Sequence, residues 1–121
     1  MLEKDYIKAT TQLNAIAKLG DNWNNNGTKP FSTKLINKCR KILMQLVREP
    51  FISPTACGSI QFEYEKENGN YLEFEIYEDR IEAFIYSLVE GEKEFKLDGV
   101  SEIEEMKQMV INFYGSKDWY N

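Results

Sequence analysis

The chain contains no histidine, and that narrows its chemistry at once. The commonest general base, the usual activator of serine and cysteine nucleophiles and the commonest zinc ligand are all missing. Gly58, Gly69 and Gly91 stand singly among turn-forming residues, so no phosphate-cradling loop is spelled out. Cys39 and Cys57 are too few for a disulfide framework and lack metal-ligand spacing. Any reaction would therefore fall to carboxylates. The candidate pair is Glu63 and Glu73, within the alternating stretches "IQFEYE" (60–65) and "YLEFEI" (71–76). In paired strands these two residues face each other with Cβ atoms about 4.5–5.5 Å apart, the like-charge crowding that acid–base chemistry exploits.

Four readings of that pair compete. A catalytic dyad needs a cleft that excludes water, and an open sheet face offers none. A divalent-cation site at Glu63, Glu73 and Glu75 lacks the aspartate-rich loop of calcium sites. A solvated acidic coat is the ordinary explanation, since charge keeps sheets from aggregating. The fourth reading is a binding surface. Like charges placed opposite one another cost stability, and aromatic residues among them (Tyr71, Tyr77, Phe84, Tyr86) belong to interfaces more than to solubility coats. The expectation is a non-enzymatic chain, with no catalytic residue, no metal and no cofactor.

Charge is divided unevenly along the 121 residues. Residues 1–50 carry nine Lys/Arg against four Asp/Glu, and residues 61–105 carry four against fifteen. The acidic part disfavours nucleic acid, which demands a continuous basic footprint. It suits a basic protein instead. No run approaches the roughly 20 apolar residues of a membrane span, and the start "MLEKDYIKAT" lacks a signal-peptide apolar core. The simplest expectation is a cytoplasmic protein of one domain.

The elements that must position these residues follow from periodicity. Tyr6, Ala9, Leu13, Ile16 and Ala17 predict a helix over 5–19, stopped by a left-handed Gly20. Leu35, Ile36, Cys39, Ile42, Leu43, Leu46 and Val47 predict a second, N-capped by Ser32, stapled by Phe31 on Ile36 and ended at Glu49-Pro50. Its outer side carries Lys34, Lys38, Lys41 and Arg48, usually a solvated face. Residues 50–59, "PFISPTACGS", read as a rigid connector between two prolines. A three-residue loop, Glu67-Asn68-Gly69, then pairs Tyr64 with Leu72, Phe62 with Phe74, Glu63 with Glu73, Gln61 with Glu75 and Glu65 with Tyr71. Further strands are expected over about 81–88 and 94–97. If Ile81, Ala83 and Ile85 face inward, then Phe84, Tyr86 and Leu88 lie outside with the glutamates. Ser101 opens a last helix by a capping box to Glu104; Ile103, Met106, Val110 and Phe113 form its buried stripe, and Gly115 closes it. Trp119 and Tyr120 follow in a short tail.

The fold class is thus α+β: two N-terminal helices (a basic part, 1–49), a four-stranded antiparallel meander (acidic, 58–98), a C-terminal helix (101–114) and a tail (115–121). The helices cover one sheet face and leave the other to solvent.

Two motifs stand apart from this pattern. "LGDNWNNNGTKPFS" (19–32) sets Trp23 before a run of asparagines ending at Gly27, and "PFISPTACGSIQFEY" (50–64) holds Pro54, Thr55 and Gly58 ahead of a strand ending at Tyr64. Together they resemble a family of small uncharacterised bacterial and phage proteins. The departures are Cys57, Ser59 and Tyr64, where an acidic or small residue, a glycine and a tryptophan are usual. The resemblance implies mobile-element or prophage context, in which antitoxins, immunity proteins and inhibitors of host defence are common. It also favours a structural role for Trp23 over display to a partner. The partner expected is a toxin, nuclease or defence effector with a basic surface. The alternative is self-association, as a homodimer or larger assembly.

Overall fold

In the computed structural model, which describes residues 6–97 and 100–118, the chain forms three helices and five strands. Their order is α1 (Ile7–Ala17), α2 (Thr33–Leu43), β1 (Phe51–Pro54), β2 (Ile60–Glu65), β3 (Tyr71–Ile76), β4 (Ile81–Ser87), β5 (Gly91–Lys96) and α3 (Glu102–Asp118). The strands make one antiparallel sheet in the order β1-β2-β3-β4-β5, each beside its neighbour in the chain. Trp119 and Tyr120 lie outside the described residues.

The β2–β3 register is the expected one, with Phe62 opposite Phe74 and Glu63 opposite Glu73. The loop between these strands places Gly69 at φ +91° and closes through Lys66 N–H to Asn70 O (2.9 Å) and Gly69 N–H to Lys66 O (2.9 Å). A side chain at that φ is strained, so glycine fits there. Inward residues Phe62, Tyr64, Leu72, Phe74, Ile76, Ile81 and Ala83 are buried in one cluster with Leu13, Ile42, Met106 and Val110 of the helices and with Leu46 just after α2. All three helices therefore supply side chains to one side of the sheet. Alternation then places Phe84 and Tyr86 on the other side.

Three expectations need correction. The connector at 50–59 contains a fifth strand, β1, paired to β2 from Phe51↔Glu63 to Pro54↔Ile60. Proline is compatible with an edge strand whose outer side needs no ladder bonds. The strand expected at 94–97 is longer and begins at Gly91. Both N-terminal helices end early. α1 closes with Lys18 N–H to Ala15 O and Leu19 N–H to Ile16 O (both 3.2 Å), and Gly20 is not left-handed. Asn22 (φ 59°) and Asn25 (φ 63°) take the left-handed positions instead. α2 stops at Leu43, before Glu49-Pro50, and a tight turn follows with Gln45 N–H on Ile42 O (2.9 Å). That turn keeps Leu46 buried but rotates Val47 out to 44% exposure. The Ser32 cap is as expected, its Oγ accepting from Leu35 N–H at 3.0 Å. Gly115 breaks α3 at φ 56°.

The two sheet edges differ. Thr55 N–H bonds Ser59 O (3.1 Å), so by alternation residues 51 and 53 also direct their backbone groups toward β2. Positions 50, 52 and 54 face away. Two of these are prolines with no N–H, and the third, Ile52 N–H, donates to Gln12 Oε1 of α1 at 2.7 Å. No free backbone donor remains on that edge. Replacing Gln12 with leucine would leave a partly buried N–H unpaired. We expect Gln12→Leu to cost about 1–2 kcal/mol, read as a lower urea midpoint with an unchanged m-value; an unaltered midpoint would show that water replaces the side chain freely.

Candidate functional site

Strand register assembles the outward face in rows. One row runs Gln61–Glu75–Glu82–Lys96, a second Glu63–Glu73–Phe84–Glu94, and a third Glu65–Tyr71–Tyr86–Glu92. Of the outward strand positions among the described residues, only Lys96 is a cation. None of these side chains belongs to the core cluster. The sheet thus brings together Glu63, Glu73, Glu75, Tyr71, Phe84 and Tyr86, with Tyr77 following at the end of β3.

Their local partners divide them into two groups. Glu75 Oε1 accepts from Ser59 Oγ (3.1 Å) and the Tyr77 hydroxyl (3.4 Å). Glu82 Oε2 pairs with Arg80 Nε at 2.8 Å, and the Arg80 guanidinium stacks 3.7 Å from the Tyr77 ring centroid. These carboxylates have donors from their own chain. Glu63 and Glu73 share one: the Tyr71 hydroxyl lies 2.7 Å from Glu63 Oε2 and 2.7 Å from Glu73 Oε1, while Gln61 Nε2 donates to it at 3.4 Å. A phenol carries a single hydrogen, so it cannot donate fully to both. Among the described residues neither glutamate meets a cation.

Burial and hydrogen bonding to both carboxylates push the Tyr71 phenol well above its ordinary range. It stays protonated at neutral pH and cannot act there as a base. The Tyr71 ring meets Phe84 edge-on, with centroids 6.2 Å apart. Beside them a shallow groove of about 310 Å³ is lined by Glu73, Glu75, Glu82, Phe84, Glu94 and Lys96. Among the described residues no group of three or more His, Cys, Asp or Glu is arranged to hold a metal ion.

The two sequence motifs meet elsewhere. Gly27, Phe31, Ser32, Cys57, Gly58 and Glu78 line a cleft of about 490 Å³, a meeting that sequence spacing did not reveal. Several of the polar groups in and around it are engaged with one another. Ser32 Oγ caps α2 and donates to Glu78 Oε2 at 2.7 Å, placing a carboxylate at the helix N-terminus. Asn22 Oδ1 accepts from Gly27 N–H at 2.7 Å, and Trp23 Nε1 donates to Lys29 O at 3.2 Å with its ring 5.9 Å from that of Phe31. Trp23 is half-buried and bridges the ends of its own loop. Thr55 Oγ1 accepts from Cys57 N–H (3.2 Å) and Ser59 N–H (3.3 Å), with Gly58 at φ +89°. Pro54-Thr55-x-x-Gly58 is thus the turn joining β1 to β2. Tyr64 is buried, its hydroxyl donating to Arg48 O at 2.8 Å.

The basic outer side of α2 is also partly structural. Lys38 Nζ donates to Tyr77 O (2.7 Å) and Glu78 O (3.3 Å) and pairs with Glu102 Oε2 (3.0 Å). Arg48, expected on the same helix face, lies beyond the end of α2, and its guanidinium stacks 3.9 Å from the Tyr114 ring centroid. Comparison with known proteins returns no matching family model, no matching curated protein and no matching solved structure. No described helix is long and apolar enough to cross a membrane.

Removing the Tyr71 hydroxyl leaves two facing carboxylates with nothing between them. Tyr71→Phe should cost about 1–2 kcal/mol at pH 7. The sign with pH follows from the raised phenol: its contribution is complete below the unfolded value near 10 and is lost as pH rises toward the folded value. The difference between wild type and variant should therefore shrink above about pH 10. Urea unfolding from pH 7 to 11 measures it, and a gap that stays constant would remove the hydroxyl from the network.

Proposed function

We propose that this chain is a non-catalytic binding protein whose outward sheet face receives a basic protein surface. The observation that carries this reading is the row Glu63–Glu73–Phe84–Glu94, in which an aromatic ring is flanked across the strands by carboxylates. A lysine or arginine seated over Phe84 would gain a cation–π contact of about 0.5–2 kcal/mol and pair with Glu73 or Glu94. A second cation beside Tyr71 would supply the positive charge that Glu63 and Glu73 lack. Tyr71 and Tyr86 add the rigid aromatic area that interfaces favour.

A solvated coat explains charge at the rim, such as Glu65 and Glu92, both exposed. It does not explain Glu63 and Glu73, which are half-buried and face each other. Charges for solubility work best where water reaches them. The narrower assignment, an antitoxin, immunity protein or anti-defence inhibitor acting in the cytoplasm, rests on the resemblance of the Trp23 and Pro54-Thr55 motifs to mobile-element proteins. Its partner would be a toxin, nuclease or defence effector.

Capture from a lysate of the native host tests this reading, using wild type beside a Glu63→Lys/Glu73→Lys variant whose fold is verified by circular dichroism. The expected partner is rich in Lys and Arg, is held by wild type at low salt, is released at high salt and is absent with the variant. A partner held equally by both forms, or insensitive to salt, would remove the outward face from the function.

A further inference from the structure

The sheet has a second feature that the outward-face reading does not use: its free edge. Leu97 N–H bonds Ile81 O at 3.0 Å, so by alternation Phe95, Lys93 and Gly91 also direct their backbone groups toward β4. Glu92, Glu94 and Lys96 direct theirs away from the sheet, and among the described residues no backbone partner meets them. β1, at the opposite edge, is sealed by Pro50, Pro54 and the Gln12 carboxamide. β5 is six residues long, contains no proline or bulge and is exposed from Glu92 to Lys96. On the helix side it presents Phe95, 43% exposed although its register partner Ala83 is buried. Phe95 lines a cleft of about 270 Å³ shared with Phe113 of α3.

We propose that β5 pairs with β5 of a second copy, antiparallel, about a two-fold axis through Phe95. Such an axis, perpendicular to the sheet, matches residues facing the same side. Centring it on Lys93 sets Glu92 against Glu94 and Lys93 against itself; centring it on Glu94 sets that glutamate against itself. Centring it on Phe95 sets no like charges opposite one another across residues 94–96. Glu94 then lies opposite Lys96 of the second copy, and Lys96 opposite its Glu94, as backbone hydrogen-bonded pairs with opposite charges. Phe95 meets Phe95 in the non-hydrogen-bonded position, where side chains approach most closely. Charged edge strands commonly repel a neighbour. Here the order Glu94, Phe95, Lys96 gives this register two opposite-charge pairs and no charge set against its own copy.

Sedimentation equilibrium of the whole chain at tens of micromolar should give twice the 14.2 kDa monomer mass. Glu94→Lys alone, or Lys96→Glu alone, puts like charges opposite at both symmetric positions and should raise the dimer dissociation constant about tenfold. The combined Glu94→Lys/Lys96→Glu exchange should restore it. Phe95→Cys on a Cys57→Ser background should cross-link under mild oxidation, because the non-hydrogen-bonded pair brings Cα atoms to about 4.5 Å, within disulfide reach. A monomeric wild type overturns the proposal, including one whose β5 instead takes up an extended segment of another protein. So does a dimer that neither single reversal weakens. Glu63→Lys/Glu73→Lys should leave this dimer intact, so failure of the outward-face reading and failure of this one are separable.

Discussion

One register governs both sides of this protein. Phe62 lies against Phe74 inside the sheet, and the same alignment forces Glu63 against Glu73 outside. A slip by one residue would exchange the two faces completely. Burying each phenylalanine is worth about 1.5–3 kcal/mol, whereas opposing like charges cost a fraction of that, about 0.2–1 kcal/mol. The core therefore wins, and the crowded carboxylates are held in place by packing they do not contribute to. Tyr71, one step along the outward side, relieves part of the repulsion with its single hydrogen and leaves the rest.

The helices hold the other side without touching this face. Lys38 uses its three ammonium hydrogens on Tyr77 O, Glu78 O and Glu102 Oε2, so one side chain of α2 ties the β3–β4 turn to α3. Its side chain is only 16% exposed and that of Glu102 14%, so loss of either would strand a buried charge. α1 does a different job, lying beside β1 and supplying Gln12 to the one outward N–H between the prolines. Helix packing and edge sealing thus account for α1, α2 and β1. They leave the outward face and β5 as the surfaces with unmet backbone or charge requirements.

Much of this was legible in the sequence because it depends on local rules. Strict alternation in 60–65 and 71–76, with Gly69 in the loop, fixed the hairpin register and hence the Glu63–Glu73 pair. Ser32 before an apolar stripe marked the start of α2. What escaped depends on tertiary context. β1 was hidden because Pro50 and Pro54 argue against a strand until it is known to be an edge whose outer positions are theirs. The ends of α1 and α2 are not written in the local sequence because no glycine or proline ends them; the stops are short turns at Lys18–Leu19 and Gln45–Leu46. Tyr71 was recognised as an aromatic among glutamates, but its placement between two of them needs the pleat and the rotamers. The role of Lys38 was hidden in a helix face that reads as solvated, since its partners lie in β3–β4 and α3.

The two surfaces left over are not independent in shape. A two-fold axis perpendicular to the sheet keeps the outward faces of both copies on the same side, so pairing through β5 would extend the acidic rows from one chain into the next. Glu94 and Lys96 would then be drawn into cross-strand pairs, and the Lys96 ammonium would be neutralised by the neighbouring glutamate. The remaining carboxylates, Glu63 and Glu73 above all, would sit well inside each half, away from the joint. A joined sheet would present the half-buried acidic pair twice, related by two-fold symmetry, to a partner that is itself symmetric or elongated. Affinity for such a partner would come from two weak engagements acting together, with the gain set by how well its basic sites match their spacing.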